Sequence, residues 1–137
     1  MIRARWNIFR GLRAWQSANY QECVTRLYAG VAELELAGRP VSPRVRLKLL
    51  MASALTGNSD VALSQLSAIE AAILHDNTKS DHDKNYLLLV VEVACQRLSL
   101  PVPEGAALAS RTVYPRVTNH LIETYPIQLL LPERREN

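Results

Sequence analysis

The chain has 137 residues, 48% of them hydrophobic and 21% charged, the balance of an ordinary globular domain with enough length to bury a core unaided. Only five glycines, seven prolines and two cysteines are present, which excludes collagen-like, linker-rich and disulfide-framework chains. The net charge of +3 is unevenly placed: residues 1–48 hold nine basic and three acidic groups, and residues 49–137 hold seven and ten. Such polarity steers an acidic partner or a second copy of the chain.

Ile2, Trp6, Phe9 and Leu12, with Trp15 close by, recur at helical spacing and predict a first helix whose apolar stripe faces the core, with arginines over the remaining surface. It should end near Ser17. Asn19, with Glu22 three residues later, is a capping box opening a second helix. The buried stripe of that helix is expected to be Tyr20, Cys23, Val24, Leu27, Val31 and Leu34, and Gly38, Arg39 and Pro40 stop it. Ser42 and Pro43 then read as an N-cap with proline in the first helical position. The third helix runs through Val45, Leu49, Leu50 and Met51 to Leu55, and Gly57 takes the left-handed turn. In the fourth, capped by Ser59, residues Ala62, Leu66, Ile69 and Ile73 share a face.

The stretch from His75 to Lys84 is polar, and Ser80 with Asp83 repeats the capping-box spacing. Tyr86 to Leu98 is apolar on nearly every side; its valines allow a buried strand, but its length favours a helix covered on more than one face. Within it, the longest apolar run, Tyr86 to Val91, is far short of the roughly 20 residues of a membrane span. Pro101 and Pro103 break the chain. A short helix is predicted over Glu104 to Val113 and another over Pro115 to Glu123, followed by an apolar patch at Ile127 to Leu131 and a charged tail from Glu133. The patch must dock on the domain or on another subunit.

Two helical pairs, 2–37 and 43–74, share a tight turn between their members. The string from Leu50 to Leu63 resembles the tetratricopeptide (TPR) repeat: Gly57 matches its turn glycine, Ala62 its small second-helix residue, and Leu66 and Ile69 the packing positions that follow. In the first pair Gly11 matches the small first-helix glycine, Tyr20 the aromatic after the turn, and Leu27 and Gly30 the later packing sites. Cys23 and Ser17 depart from the family's small alanine and turn glycine. The expected fold is therefore all-α, a single domain of six or seven helices. It is either a TPR-like array or an irregular helical bundle, with residues 82–125 as a C-terminal helical segment and 126–137 as a tail. The resemblance implies a concave, peptide-binding groove reached by Arg5, Leu12, Trp15, Arg44, Lys48 and Met51. Solubilising surface cations would account for the charged members of that set equally simply.

The other chemical signals are sparse. Two histidines and three carboxylates crowd residues 75–83 without a known ligand spacing, so a solvated capping loop is expected and no metal. GxSxG, HExxH and phosphate-cradling glycine loops are absent from the sequence. For an enzyme, Glu92, His120 and Glu123 would have to converge in one pocket; exposed polar positions and a solvent edge are the plainer readings of these three. The arginines of the first helix with Trp6 and Trp15 are ingredients of nucleic-acid binding, but core packing accounts for the tryptophans. The same arginines, with no acidic residue before Glu22, also have the composition of an organelle presequence. We read that segment as a structural helix, both cysteines as reduced, and the cytoplasm as the default location.

The functional expectation is a non-catalytic interaction module without cofactors, whose partner is an acidic protein or peptide. Ile127, Leu129, Leu130 and Leu131 are expected to support self-association, as in a homodimer. Neither a nucleic acid nor a membrane is expected as partner. A homo-oligomeric helical protein with an unrecognised active site, or nucleic-acid binding through the basic first helix, are the competing readings.

Overall fold

A computed structural model describes residues 2–103 and 119–131. Among these residues the chain forms six α-helices and no strand: α1 (Ile2–Gln16), α2 (Tyr20–Leu36), α3 (Pro43–Thr56), α4 (Ser59–Leu74), α5 (Asp81–Arg97) and α6 (Asn119–Thr124), followed by a 3₁₀ turn at Ile127–Leu129. The predicted helix over Glu104 to Val113, the first residues of the one begun at Pro115, and the charged tail lie outside the described residues. No helix among the described residues is long and apolar enough to cross a membrane.

The turns follow the local chemistry. Asn19 Oδ1 accepts from the Glu22 backbone N–H at 3.3 Å, which forms half of the expected capping box. The Glu22 carboxylate turns instead to Arg26, at 2.9 Å. Gly57 has a φ of 75°, the left-handed conformation that ends α3. The α4 cap falls on Asn58 rather than Ser59, which is already helical, and Asn58 makes no side-chain cap bond. Ser80 opens α5 as expected, its hydroxyl accepting from the Asp83 backbone N–H.

α1 and α2 form one antiparallel hairpin and α3 and α4 the next; α2 packs on α3, and α5 packs on both α3 and α4. The core is accordingly divided by α3. Val45, Leu49 and Ala52 join Ala14, Cys23, Val24, Leu27 and Val31 on the α1–α2 side. Leu47, Leu50, Met51 and Ala54 join Leu66, Ile69, Ile73 and the buried residues of α5 on the other. α3 is thus buried all round, from Leu47 to Ala54 without a break.

The orientation of α1 corrects the expected stripe. Its buried face is made of small residues, Ala4, Gly11 and Ala14, and Ile2, Trp6 and Phe9 point outward, 87%, 54% and 51% exposed. The cause is the closeness of the α1–α2 crossing. A Cβ on Gly11 would lie 2.5 Å from Leu27 Cδ2, and one on Gly30 would lie 2.7 Å from Ile8 Cγ1 and 3.0 Å from the Ala4 carbonyl oxygen. No bulky row fits there.

The C-terminal segment docks on the bundle. Tyr86 on α5 donates its hydroxyl proton to the Tyr125 carbonyl at 2.7 Å and accepts from the Ile127 N–H at 3.3 Å. Arg97 donates to the carbonyls of Ala54 and Leu130 at 3.2 and 3.3 Å. Leu130 is therefore 2% exposed and not free for the expected self-association, Ile127 is partly buried against the core, and Leu129 and Leu131 keep substantial exposure.

Candidate functional site

A cleft of about 620 Å³ lies where the end of α1, the start of α3 and the end of α4 meet α5 and α6. Three of the expected partner-binding residues line it: Trp15, Arg44 and Lys48. Ile69, Ile73 and Leu87 give it an apolar floor, and Asp76, Lys79, His120, Glu123 and Tyr125 bring polar groups from two further segments.

The other three expected residues are elsewhere. Met51 is fully buried because its helix is covered on every side, so it cannot contact a partner. Leu12 packs into the α1–α2 side of the core. Arg5 is exposed on α1 but takes no part in the cleft lining. Of the three residues proposed for catalysis, His120 and Glu123 line the cleft and Glu92 does not. Glu92 sits half-buried on α5, where one of its carboxylate oxygens accepts from Gln96.

The electrostatics of the cleft centre on Lys48. Its side chain is almost entirely buried, yet no carboxylate lies within ion-pair distance of it among the described residues. Its ammonium instead rests over the Trp15 ring, 5.6 Å from the centroid, and Trp15 is held edge-on by Tyr20 at 5.3 Å. Burial, and secondarily the nearby Arg44 cation, hold the Lys48 pKa below its ordinary 10.5. Asp76 and Lys79, 3.7 Å apart, balance each other at the rim. Arg44 and Lys48 then outnumber Glu123, leaving an excess of positive charge over an apolar floor.

Asp76 and the two cysteines have structural explanations. Asp76 accepts from the Thr78 hydroxyl and backbone N–H, which lowers its pKa and closes the polar loop as an Asx turn. Both cysteines are free and buried; desolvation pushes the Cys23 thiol up to about 12 and Cys95 to about 11, so neither is a nucleophile at neutral pH.

Sequence reasoning missed Asp76, Lys79 and Tyr125 as cleft residues. Each lies in a loop or at a helix end, and nothing local in the sequence signals that residues 15, 44, 76 and 125 meet. In comparisons with known proteins, the chain matches no family model, no curated protein and no solved structure.

Proposed function

We propose that the protein is a non-catalytic interaction module whose cleft takes an acidic peptide segment. The observation that carries this reading is the buried Lys48 at the cleft wall, with no carboxylate in ion-pair distance among the described residues, Arg44 beside it and an apolar floor beneath. A buried cation without a counter-charge is costly, and an incoming carboxylate would offset that cost through charge-assisted hydrogen bonds. Ile69, Ile73 and Leu87 give neighbouring apolar side chains of the ligand somewhere to bury, which is how a small contact gains affinity as well as steering.

The enzymatic alternative loses one of its three named groups, since Glu92 stands outside the cleft. Self-association through the C-terminal patch loses Leu130 to the core and keeps Ile127 only in part.

Fluorescence anisotropy with a labelled acidic peptide and a charge-matched basic control tests the proposal. The acidic peptide should bind selectively, and Arg44→Glu and Lys48→Met should each weaken it about tenfold or more with an unchanged circular dichroism spectrum. Equal affinity for both peptides, or unchanged affinity in both variants, overturns it.

A pH series sharpens the assignment to Lys48. Because folding lowers the pKa of this base, the native state disfavours its charge, and stability rises as pH climbs from that lowered value towards 10.5. Peptide affinity should fall over the same window as Lys48 loses its proton, and the fall assigned to Lys48 should be missing in Lys48→Met.

A further inference from the structure

The outward face of α1 is a second surface, separate from the cleft lining, and the core does not need it. At about 100° per residue, Ile2, Trp6, Phe9 and Arg13 fall within a roughly 60° arc on the side opposite Ala4, Gly11 and Ala14. Arg5 flanks that arc on one side, and Arg3 and Arg10 flank it on the other. Trp6 and Phe9 stand against each other, 6.0 Å between ring centroids. The Arg10 guanidinium carbon lies 5.6 Å from the Trp6 centroid and that of Arg13 lies 5.9 Å from Phe9. None of the four arginines pairs with a carboxylate among the described residues.

From this arrangement we infer that α1 docks the protein on an anionic lipid surface, lying in the plane of the interface with Ile2, Trp6 and Phe9 inserted and the arginines among the headgroups. A convex apolar pole edged by cations on both sides is the geometry of an interfacial amphipathic helix, and tryptophan is favoured at that depth. Charge complementarity selects the lipid: Arg3, Arg5 and Arg10 meet negative charge on either flank of the pole and Arg13 meets it at the C-terminal end of the apolar arc, and a continuous anionic surface supplies it at every position along the helix. Single-stranded nucleic acid fits less well. Base stacking needs open aromatic faces in a groove, whereas these rings are covered by guanidinium groups on a convex helix, and Ile2 offers no ring at all.

The test uses the full chain carrying Trp15→Phe, so that Trp6 alone reports by fluorescence. Vesicles of phosphatidylcholine with phosphatidylglycerol should sediment the protein and shift Trp6 emission to the blue; vesicles of phosphatidylcholine alone should not. Brominated acyl chains in the anionic vesicles should quench that emission. Each Arg→Gln change at Arg3, Arg10 or Arg13 should weaken binding about fivefold, and Trp6→Ser with Phe9→Ser should abolish it with an unchanged circular dichroism spectrum. Binding to neither vesicle overturns the inference, as does equal binding to both, or binding by the Trp6 and Phe9 double variant. Salt-sensitive capture of an oligonucleotide without vesicle binding overturns it in favour of nucleic acid. A dimer in light scattering that the double variant dissolves assigns the face to a second copy instead.

Discussion

α1 and α3 are each the first helix of a hairpin, and they solve opposite problems. α3 is enclosed between two layers and is buried all round from Leu47 to Ala54, including a lysine and a serine. α1 lies against α2 through Ala4, Gly11 and Ala14 and leaves Ile2, Trp6 and Phe9 in water. The difference shows that side-chain size does not fix which face of a helix turns inward. Where two helix axes approach closely, small residues win the interface and bulky ones are displaced, even at a cost in exposed apolar area.

The sharpest way to break this contrast is to hollow out α3. Leu50→Ala should lower the unfolding free energy by about 2–5 kcal/mol in urea denaturation, because both neighbouring layers pack on that helix and neither can collapse into the gap alone. At the α1–α2 crossing, Gly11→Ala should cost about 1–3 kcal/mol by overpacking, less the roughly 1 kcal/mol that alanine gains in helix propensity. Leu27 is fully buried and has no room to yield, so the net sign is destabilising. A stabilised Gly11→Ala protein would mean the crossing is looser than described. Tyr86→Phe should cost about 0.5–1.5 kcal/mol by leaving the Tyr125 carbonyl unpaired. The smallest effect is expected on the outer face of α1, where Trp6→Ser and Phe9→Ser should each stay within about 0.5 kcal/mol of the parent. A loss of several kcal/mol there would place that face in a buried contact.

The helices themselves were legible because their ends carry local chemistry. Asn19, Pro43, Gly57 and Ser80 each act on backbone groups within a few residues, and all four mark boundaries in the structure. The α4 face was legible too: Ala62, Leu66, Ile69 and Ile73 are all buried. Periodicity failed on α1 for a definite reason. It identifies residues that share a face but not which of two faces is inward, and Ala4, Gly11 and Ala14 are as well aligned as Ile2, Trp6 and Phe9. Reading the glycine at the centre of the small row as a close crossing would have reversed the choice. The cleft was legible only in part, as a charge preference at Arg44 and Lys48 beside Trp15, since its walls are assembled from segments whose meeting depends on how α5 and α6 pack.

The two anchors at Tyr86 and Arg97 carry a consequence for anything that enters the cleft. They tether the stretch that supplies His120, Glu123 and Tyr125, so one wall of the cavity is held by a handful of main-chain hydrogen bonds together with the buried side chains of Leu121, Tyr125 and Leu130. Occupancy and retention of that wall are then linked equilibria: a guest that touches both sides resists peeling of the segment, and peeling releases the guest. Limited proteolysis within 119–131 would therefore slow in proportion to saturation, making the chain's own susceptibility to cutting a gauge of what it holds.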